Sequence, residues 1–279
     1  MLVREKAVEN YPLGHSIPEQ RRLAEQAVIL RPLTERFFRD AGIRRDMHVL
    51  DVGCGVGDVT CLAAELVGSM GGAVGVDFAA PVLTTARARA RSHGIDWARF
   101  VEADVATLSL DDLDCGPFDA VVGRLVLMYQ RDPTAVVRRP ARLVRPGGIL
   151  AFLEGVVLPS RPWPARPVYA SWISRVLETF ERSGTTTDMG HRLPQTFLEA
   201  GLPAPDVRLE GIVITGADLT GLHWFTELVR SMAPAMERHG VARVSGNELD
   251  RLADRLVDEA AATPGSVCNL ALGGAWART

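Results

Sequence analysis

Lysine is almost missing. Lys6 is the one lysine among 279 residues, and arginine supplies the rest of 31 positive charges set against 34 acidic side chains, a formal net charge of −3. That balance excludes the net basic field that gathers nucleic acid non-specifically, and the arginine bias is read as base composition rather than chemistry. Aromatic residues are also scarce, at 6%. The four cysteines, Cys54, Cys61, Cys115 and Cys268, include no C-x-x-C pair. A thiol redox motif is therefore excluded, as is the disulfide scaffold of a small secreted domain, and the cysteines are expected to be reduced and mostly buried. No apolar run approaches the ~18–20 residues of a membrane span, and the charged start MLVREKAVEN lacks the apolar stretch of a signal peptide. Together these absences predict a cytoplasmic protein with neither a membrane nor nucleic acid as partner. What is present, 47% apolar and 23% charged residues, suffices for a sizeable buried core.

Residues 16–40 open with the capping-box pattern Ser16-Ile-Pro-Glu19 and continue with Leu23, Ala27, Leu30, Leu33 and Phe37 at helical spacing. Pro32 is expected to split this stretch into two helices. Strand-like runs follow at 48–52, 73–76, 99–103, 118–122 and 149–153, separated by helical patterns at 59–67, 81–92 and 133–143. This β-α-β-α order predicts a parallel sheet with helices on both faces and ligands bound at the strand C-termini. Beyond Leu158 the regularity fails. A Pro-rich stretch, a helix over 168–182 and a Gly/Thr-rich loop to Gly190 read as an insertion. A short helix from Pro194 to Ala200 and a strand at 207–215 resume the core pattern, a second helical segment spans 219–262, and a final apolar run covers 267–276.

The chemistry-bearing signal is Val49-Leu-Asp51-Val-Gly53-Cys-Gly55-Val-Gly57, a strand running through alternate glycines into a helix. Glycine there lets backbone approach a ligand and turns the chain into the helix N-terminus. A dinucleotide fingerprint requires glycine at position 58, where this chain has Asp58, so a pyrophosphate fits poorly. Asp77 ends the second strand, where a carboxylate can accept both hydroxyls of a ribose. Asp104 ends the third, where a carboxylate can accept the exocyclic amine of adenine.

These elements in this order resemble a class I S-adenosylmethionine-dependent methyltransferase, over about residues 46–157. The likeness extends to Phe118-Asp119-Ala-Val-Val, Arg124-Leu-Val-Leu-Met-Tyr129 and Arg145-Pro-Gly-Gly148. Within that superfamily the chain is similar to small-molecule enzymes of the quinone-biosynthesis and natural-product type. The resemblance implies a Rossmann-like α/β fold with a seven-stranded sheet, its last strand antiparallel, and helical cap insertions. It implies S-adenosylmethionine as cofactor, with Asp51, Gly53 and Gly55 around its amino-acid part, Asp77 on the ribose, Phe78 on the adenine, Asp104 and Val105 on the adenine edge, and Arg124 near the amino-acid moiety. Tyr11 and Gln26 lie in the N-terminal segment that folds over the cofactor in relatives. Two departures are Tyr129, where similar enzymes often have histidine, and Pro140, expected to kink or shorten its helix.

The segments expected are an N-terminal helical lid (1–45), a cofactor-binding core (46–157, 191–216 and the final strand 265–279) and caps at 158–190 and 217–264. Catalytic candidates are Glu154, read either as general base, cation stabiliser or substrate anchor or as structural, Tyr129 as a substrate contact, and His15, which enters the site or caps the following helix. His191 reads as a loop residue, and His223 is a further candidate in the caps. Cys54 reads as core-facing. No metal site is expected, because Asp111, Asp112 and Asp114 fall on the opposite sheet edge as a solvated face. Trp163, Tyr169, Trp172, Trp224, Phe225, Met232 and Met236 either line a hydrophobic substrate chamber or pack the caps. The expected reaction is methylation of a small, largely apolar metabolite in secondary metabolism. The alternative is a protein of the same fold that holds the cofactor structurally and catalyses a reaction such as cyclisation. Assembly with copies of itself is left open.

Overall fold

The alternation expected from the sequence folds as parallel strands joined by helices. The computed structural model describes residues 11–14, 16–113, 115–156, 162–215 and 218–279, apart from the side chains of Cys268 and Asn269. After α1 (Ile17–Ala41), β1 (His48–Val52) leads into α2 (Asp58–Val67), β2 (Gly72–Asp77) into α3 (Ala80–Ser92), and β3 (Ala98–Glu102) follows. β4 (Phe118–Arg124) then connects through α4 (Pro133–Ala141) to β5 (Val144–Val156). β1 and β2 are buried beyond their first residues, the pattern of strands covered on both faces. β1 runs parallel to both β2 and β4, β2 to β3, and β4 to β5. The strand order is β3-β2-β1-β4-β5-β8-β6, with β7 (Asp206–Thr215) also paired to β8 (Ser266–Arg278). Order therefore reverses between β1 and β4. Right-handed crossovers then put α2 and α3 on one face and α4 on the other, and the crevice outside the C-termini of β1 and β4 is the natural ligand position.

β8 returns antiparallel along β5. Thr279 exchanges backbone hydrogen bonds with Gly147 and Gly148, while Gly274, earlier in β8, lies against Leu153, later in β5. The sheet has eight strands where seven were expected. The addition is β6 (Pro162–Trp163), two residues paired with Ser266 and Val267, too short to leave a periodic signal.

Contacts divide the chain into two compact units. The sheet unit comprises residues 23–154, 189–208 and 273–279. Its core joins Leu50, Val121, Leu150 and Phe152 to Val137 of α4 and to Phe197 of α6 (Met189–Glu199), with the Phe152 and Phe197 rings edge-on at 6.1 Å. The helical unit comprises the described part of residues 1–22 with 155–188 and 209–272. There α5 (Pro167–Arg182), α7 (Leu219–Arg238) and α8 (Gly246–Ala262) pack on one another, and Tyr169 meets Phe225 at 4.5 Å between ring centroids.

Several sequence expectations need correction. Pro32 does not split α1, which is continuous. The ring sits on the exposed face, and Val28, whose carbonyl loses its partner, is also exposed, so water can answer that carbonyl. Half of the expected capping box is present: the Glu19 amide donates to Ser16 Oγ at 3.3 Å, but the Glu19 carboxylate accepts from Arg22 at 2.6 and 2.7 Å. α6 starts at Met189 and takes Pro194 inside it. The segment 219–262 is two helices: the first ends at Arg238, Gly240 follows in a left-handed conformation, and the second is started by a complete capping box of Ser245 and Glu248. α4 ends at Ala141, one residue past Pro140, the shortening expected there.

Candidate functional site

The glycine loop leaves β1 through three left-handed glycines, Gly53 (φ +67°), Gly55 (+52°) and Gly57 (+82°), conformations that side chains with a Cβ resist. At Gly53 a Cβ would fall 2.6 Å from the Val126 side chain. At Gly57 it would strike Ala86 and Phe100, both at 2.8 Å. At Gly55 nothing lies within 4 Å, so this glycine presents bare backbone to open space.

Asp77 ties the loop to the second strand. Its Oδ2 accepts from the Gly55 amide and its Oδ1 from the Ala79 amide, both at 2.9 Å. Phe78, half-buried, packs with Leu23 against Val56, Ala79 and Val82. Asp104, two residues beyond the β3 residue Glu102 that pairs with Asp77, accepts from the Ala106 amide at 2.9 Å; Val105 beside it packs against the sheet core. Asp51, Asp77 and Asp104 thus come from the C-terminal ends of three adjacent strands of one unit.

Asp51 is 1% exposed and accepts from the Thr60 hydroxyl at 2.6 Å. Burial pushes its carboxyl up to about 8 against the pull of that hydroxyl, with Asp58 adding to the rise and Arg124 opposing it. Arg124 ion-pairs with Asp58 and donates to Thr34 Oγ1 of α1 at 2.9 Å. The guanidinium therefore joins the start of α2 to α1. Gln26, also on α1, is buried. Cys54 is buried as expected, and burial pushes its thiol well above the usual range, which suits packing and not nucleophilic attack.

Glu154, read either as a site acid or as structural, is held inside the sheet unit by backbone amides. It is 0% exposed; Oε1 accepts from the Val126 and Leu127 amides at 2.9 Å each, and Oε2 from the Met128 amide at 3.2 Å. Burial raises its carboxyl to about 7, with the Leu127, Val126 and Met128 amides pulling it down. Tyr129 closes the short 3₁₀ turn Leu127–Tyr129 and is half-buried.

Tyr11 belongs to the helical unit, where its hydroxyl donates to Glu19 Oε1 at 3.2 Å. His15 and Asp114 lie outside the described residues. His191 is an exposed residue of α6 and not of a loop, and His223 is exposed on α7. Asp112 accepts from both the amide and the hydroxyl of Ser109, and among the described residues no acid, histidine or cysteine cluster could hold a metal. Of the aromatic set, Trp163 is 80% exposed, which removes it from any chamber lining, while Tyr169, Trp172, Trp224, Phe225, Met232 and Met236 are buried. Sequence reasoning missed three partners: Thr60, the hydroxyl on an otherwise apolar buried helix face; Asp58, weighed only as a misfit for pyrophosphate; and Val126, which no motif marks.

Residues 43–181 match the methyltransferase domain family. Nocamycin O-methyltransferase of Saccharothrix syringae is 34% identical over 139 residues, 50% of this chain and 49% of that protein. The ubiquinone biosynthesis O-methyltransferase of Xanthomonas oryzae pv. oryzae is 37% identical over 133 residues, 47% and 52% of the two chains. The chain spans about half the length of the curated relatives it matches. Phosphoethanolamine N-methyltransferase 2 of Haemonchus contortus, solved with S-adenosyl-L-methionine, superposes with a TM-score of 0.52 at 16% identity, covering 88% of this chain and 52% of that one. At that identity the likeness establishes the fold. Among the described residues no helix is long and apolar enough to cross a membrane.

Proposed function

The chain belongs to the class I S-adenosylmethionine-dependent methyltransferases, and we propose that it transfers a methyl group from that cofactor to a small, largely apolar metabolite in secondary metabolism. The observation that carries this reading is the join of the glycine loop to Asp77 through the Gly55 amide, beside a Gly55 Cα that faces open space. The residues present fit the cofactor. Bare backbone at Gly55 admits a close-lying ligand, and the Asp77 carboxylate beside it is the kind of group that accepts ribose hydroxyls. When bound, S-adenosylmethionine supplies a methyl group already activated on a sulfonium.

The work left to the protein is proximity, orientation and exclusion of water. In this reading Asp77 fixes the ribose, Phe78 packs on the adenine, and Asp104 with Val105 holds its edge. Asp51, Gly53 and Gly55 surround the amino-acid part, and a positively charged amino group beside Asp51 favours its ionised form. Arg124, held by Asp58 and Thr34, fixes the loop's geometry. Tyr129 contacts the acceptor, and His15 is the remaining candidate for moving a proton. The lid (1–45, with Tyr11 and Gln26) and the caps (158–190 and 217–264) select the acceptor, and the protein works in the cytoplasm.

The test is incubation with methyl-labelled S-adenosylmethionine and a panel of hydrophobic phenols, quinols and amines. Label in an organic product supports the reading. Saturable cofactor binding with no label transferred to any acceptor overturns it in favour of a cofactor held structurally for a non-methylating reaction such as cyclisation.

A further inference from the structure

The two loops that flank the reversal of strand order are the glycine loop after β1 and the turn 125–128 after β4. They touch where the Val126 side chain occupies the space that a Cβ on Gly53 would need. The turn is an unusual piece of backbone. Leu125 is one of two non-glycine residues with positive φ among the described residues, at +55°, a conformation disfavoured for a branched apolar side chain. It persists only if neighbours over-determine it. One such neighbour is the Leu153 carbonyl, which accepts from the Leu125 amide at 2.9 Å. The others are the two oxygens of Glu154, which take the next three amides in succession.

We propose that Glu154 is a positioning residue that acts through Val126, clamping the turn 125–128 against Gly53 and so fixing the glycine loop in its cofactor-accepting conformation. The inference rests on the methyltransferase reading for its functional meaning, while the clamp itself is a property of the chain alone. Three amides converge on an ionised carboxylate with acceptors only. Protonation puts a hydroxyl donor among donors and removes the charge that strengthens all three bonds, so the turn loosens. The groups that shift Glu154 are its burial and the three amides; the charges of the glycine loop, Asp51, Asp58 and Arg124, act on one another. The clamp therefore tightens as pH rises through the range in which Glu154 ionises.

The experiment is amide hydrogen exchange on the full chain without cofactor, paired with titration of S-adenosylmethionine, for wild type, Glu154→Gln and Val126→Ala. Glu154→Gln is expected to speed exchange at least tenfold at residues 126–128 and also at Cys54, Gly55 and Gly57, and to weaken cofactor binding about tenfold at pH 8. Relative to wild type, its binding is expected to lose part of the pH dependence between 6 and 8. Val126→Ala keeps the three bonds, so it is expected to speed exchange at the glycine loop alone and to weaken binding several-fold with the wild-type pH dependence. If Glu154→Gln does not fold, Val126→Ala decides: protected loop amides at the wild-type rate overturn the clamp. Loop amides unchanged in a folded Glu154→Gln overturn it too, as does wild-type affinity for S-adenosylmethionine in that variant. A wild-type chain that binds no S-adenosylmethionine defeats the methyltransferase reading, and the exchange data then judge the clamp separately.

Discussion

The two compact units treat buried polar groups differently. Along the glycine-loop edge of the sheet unit each buried carboxylate is answered by a donor on another segment: Asp51 by Thr60, Asp77 by Gly55 in addition to the neighbouring Ala79 amide, Glu154 by three successive amides. In the helical unit, Arg166 Nε and Trp224 Nε1 are buried with no hydrogen-bond partner among the described residues. Its other buried polar groups are paired, within a helix as where the Thr226 hydroxyl donates to the Leu222 carbonyl at 3.0 Å, or at a helix start as where Glu259 accepts from the Val168 and Tyr169 amides at 2.6 and 3.0 Å. Acids that hold backbone amides specify loop geometry to a fraction of an ångström, which a ligand site needs. Aromatic packing specifies a shape and tolerates an unmet donor at a cost of ~1–3 kcal/mol.

The largest effect that sharpens this contrast is expected from Asp77→Ala. It strips two amides and the ribose contact, so affinity for S-adenosylmethionine should fall by ~1.5–3 kcal/mol, roughly 10- to 150-fold; wild-type affinity by calorimetry would remove the ribose assignment. Gly53→Ala adds an overpacked Cβ to a left-handed residue and should cost ~2 kcal/mol or more in urea denaturation. An unchanged midpoint would mean that the Val126 contact yields freely.

The buried acids also set a pH dependence. Unfolded carboxyls lose their protons near pH 4, whereas Asp51 holds its proton up to about 8 and Glu154 up to about 7. Between those limits the folded state binds more protons, so stability falls as pH rises from ~4 to ~8 and levels off above. Asp51→Asn should flatten the upper part of that slope. Denaturation series at pH 5, 6.5 and 8 check this, and an Asn variant with the full slope would assign the titration elsewhere.

In the helical unit the effects should be smaller. Glu259→Gln weakens the bonds to the first amides of α5 and should cost about 1 kcal/mol. Trp224→Phe removes a donor that has no acceptor among the described residues, so its stability should stay close to wild type or rise slightly. A loss above ~2 kcal/mol, measured by thermal and urea denaturation, would show that the indole N–H is satisfied and that the contrast between the units is false.

What could be read before the structure follows the same division. Gly53, Gly55 and Gly57 announced themselves because left-handed turns all but demand glycine, and Asp77 and Asp104 because a strand-end acid is rare in an apolar run. Glu154 was legible as an important acid but not in its orientation. Its partners are backbone amides 26–28 residues away, and amides leave no trace in residue type. Pro32 and Pro194 misled because a proline was read as a helix boundary, whereas α1 and α6 each run through one; Pro32 is tolerated on an exposed face. The break in 219–262 was written in Gly240 and in Ser245-Gly-Asn-Glu248, a signal available in the sequence and passed over. The pairing of Arg124 with Asp58 joins residues 66 apart and could come only from the fold. The extra strand β6, two residues long, had no periodicity to read.

The most direct test of the account is calorimetric titration of the full chain, stripped of carried-over ligand, with S-adenosylmethionine and separately with NADH. The account expects one saturable site for S-adenosylmethionine and no heat of binding for NADH, since Asp58 occupies the position where a pyrophosphate fingerprint has glycine. Binding of NADH, or no binding of S-adenosylmethionine, would contradict the assignment of the glycine loop, Asp51 and Asp77.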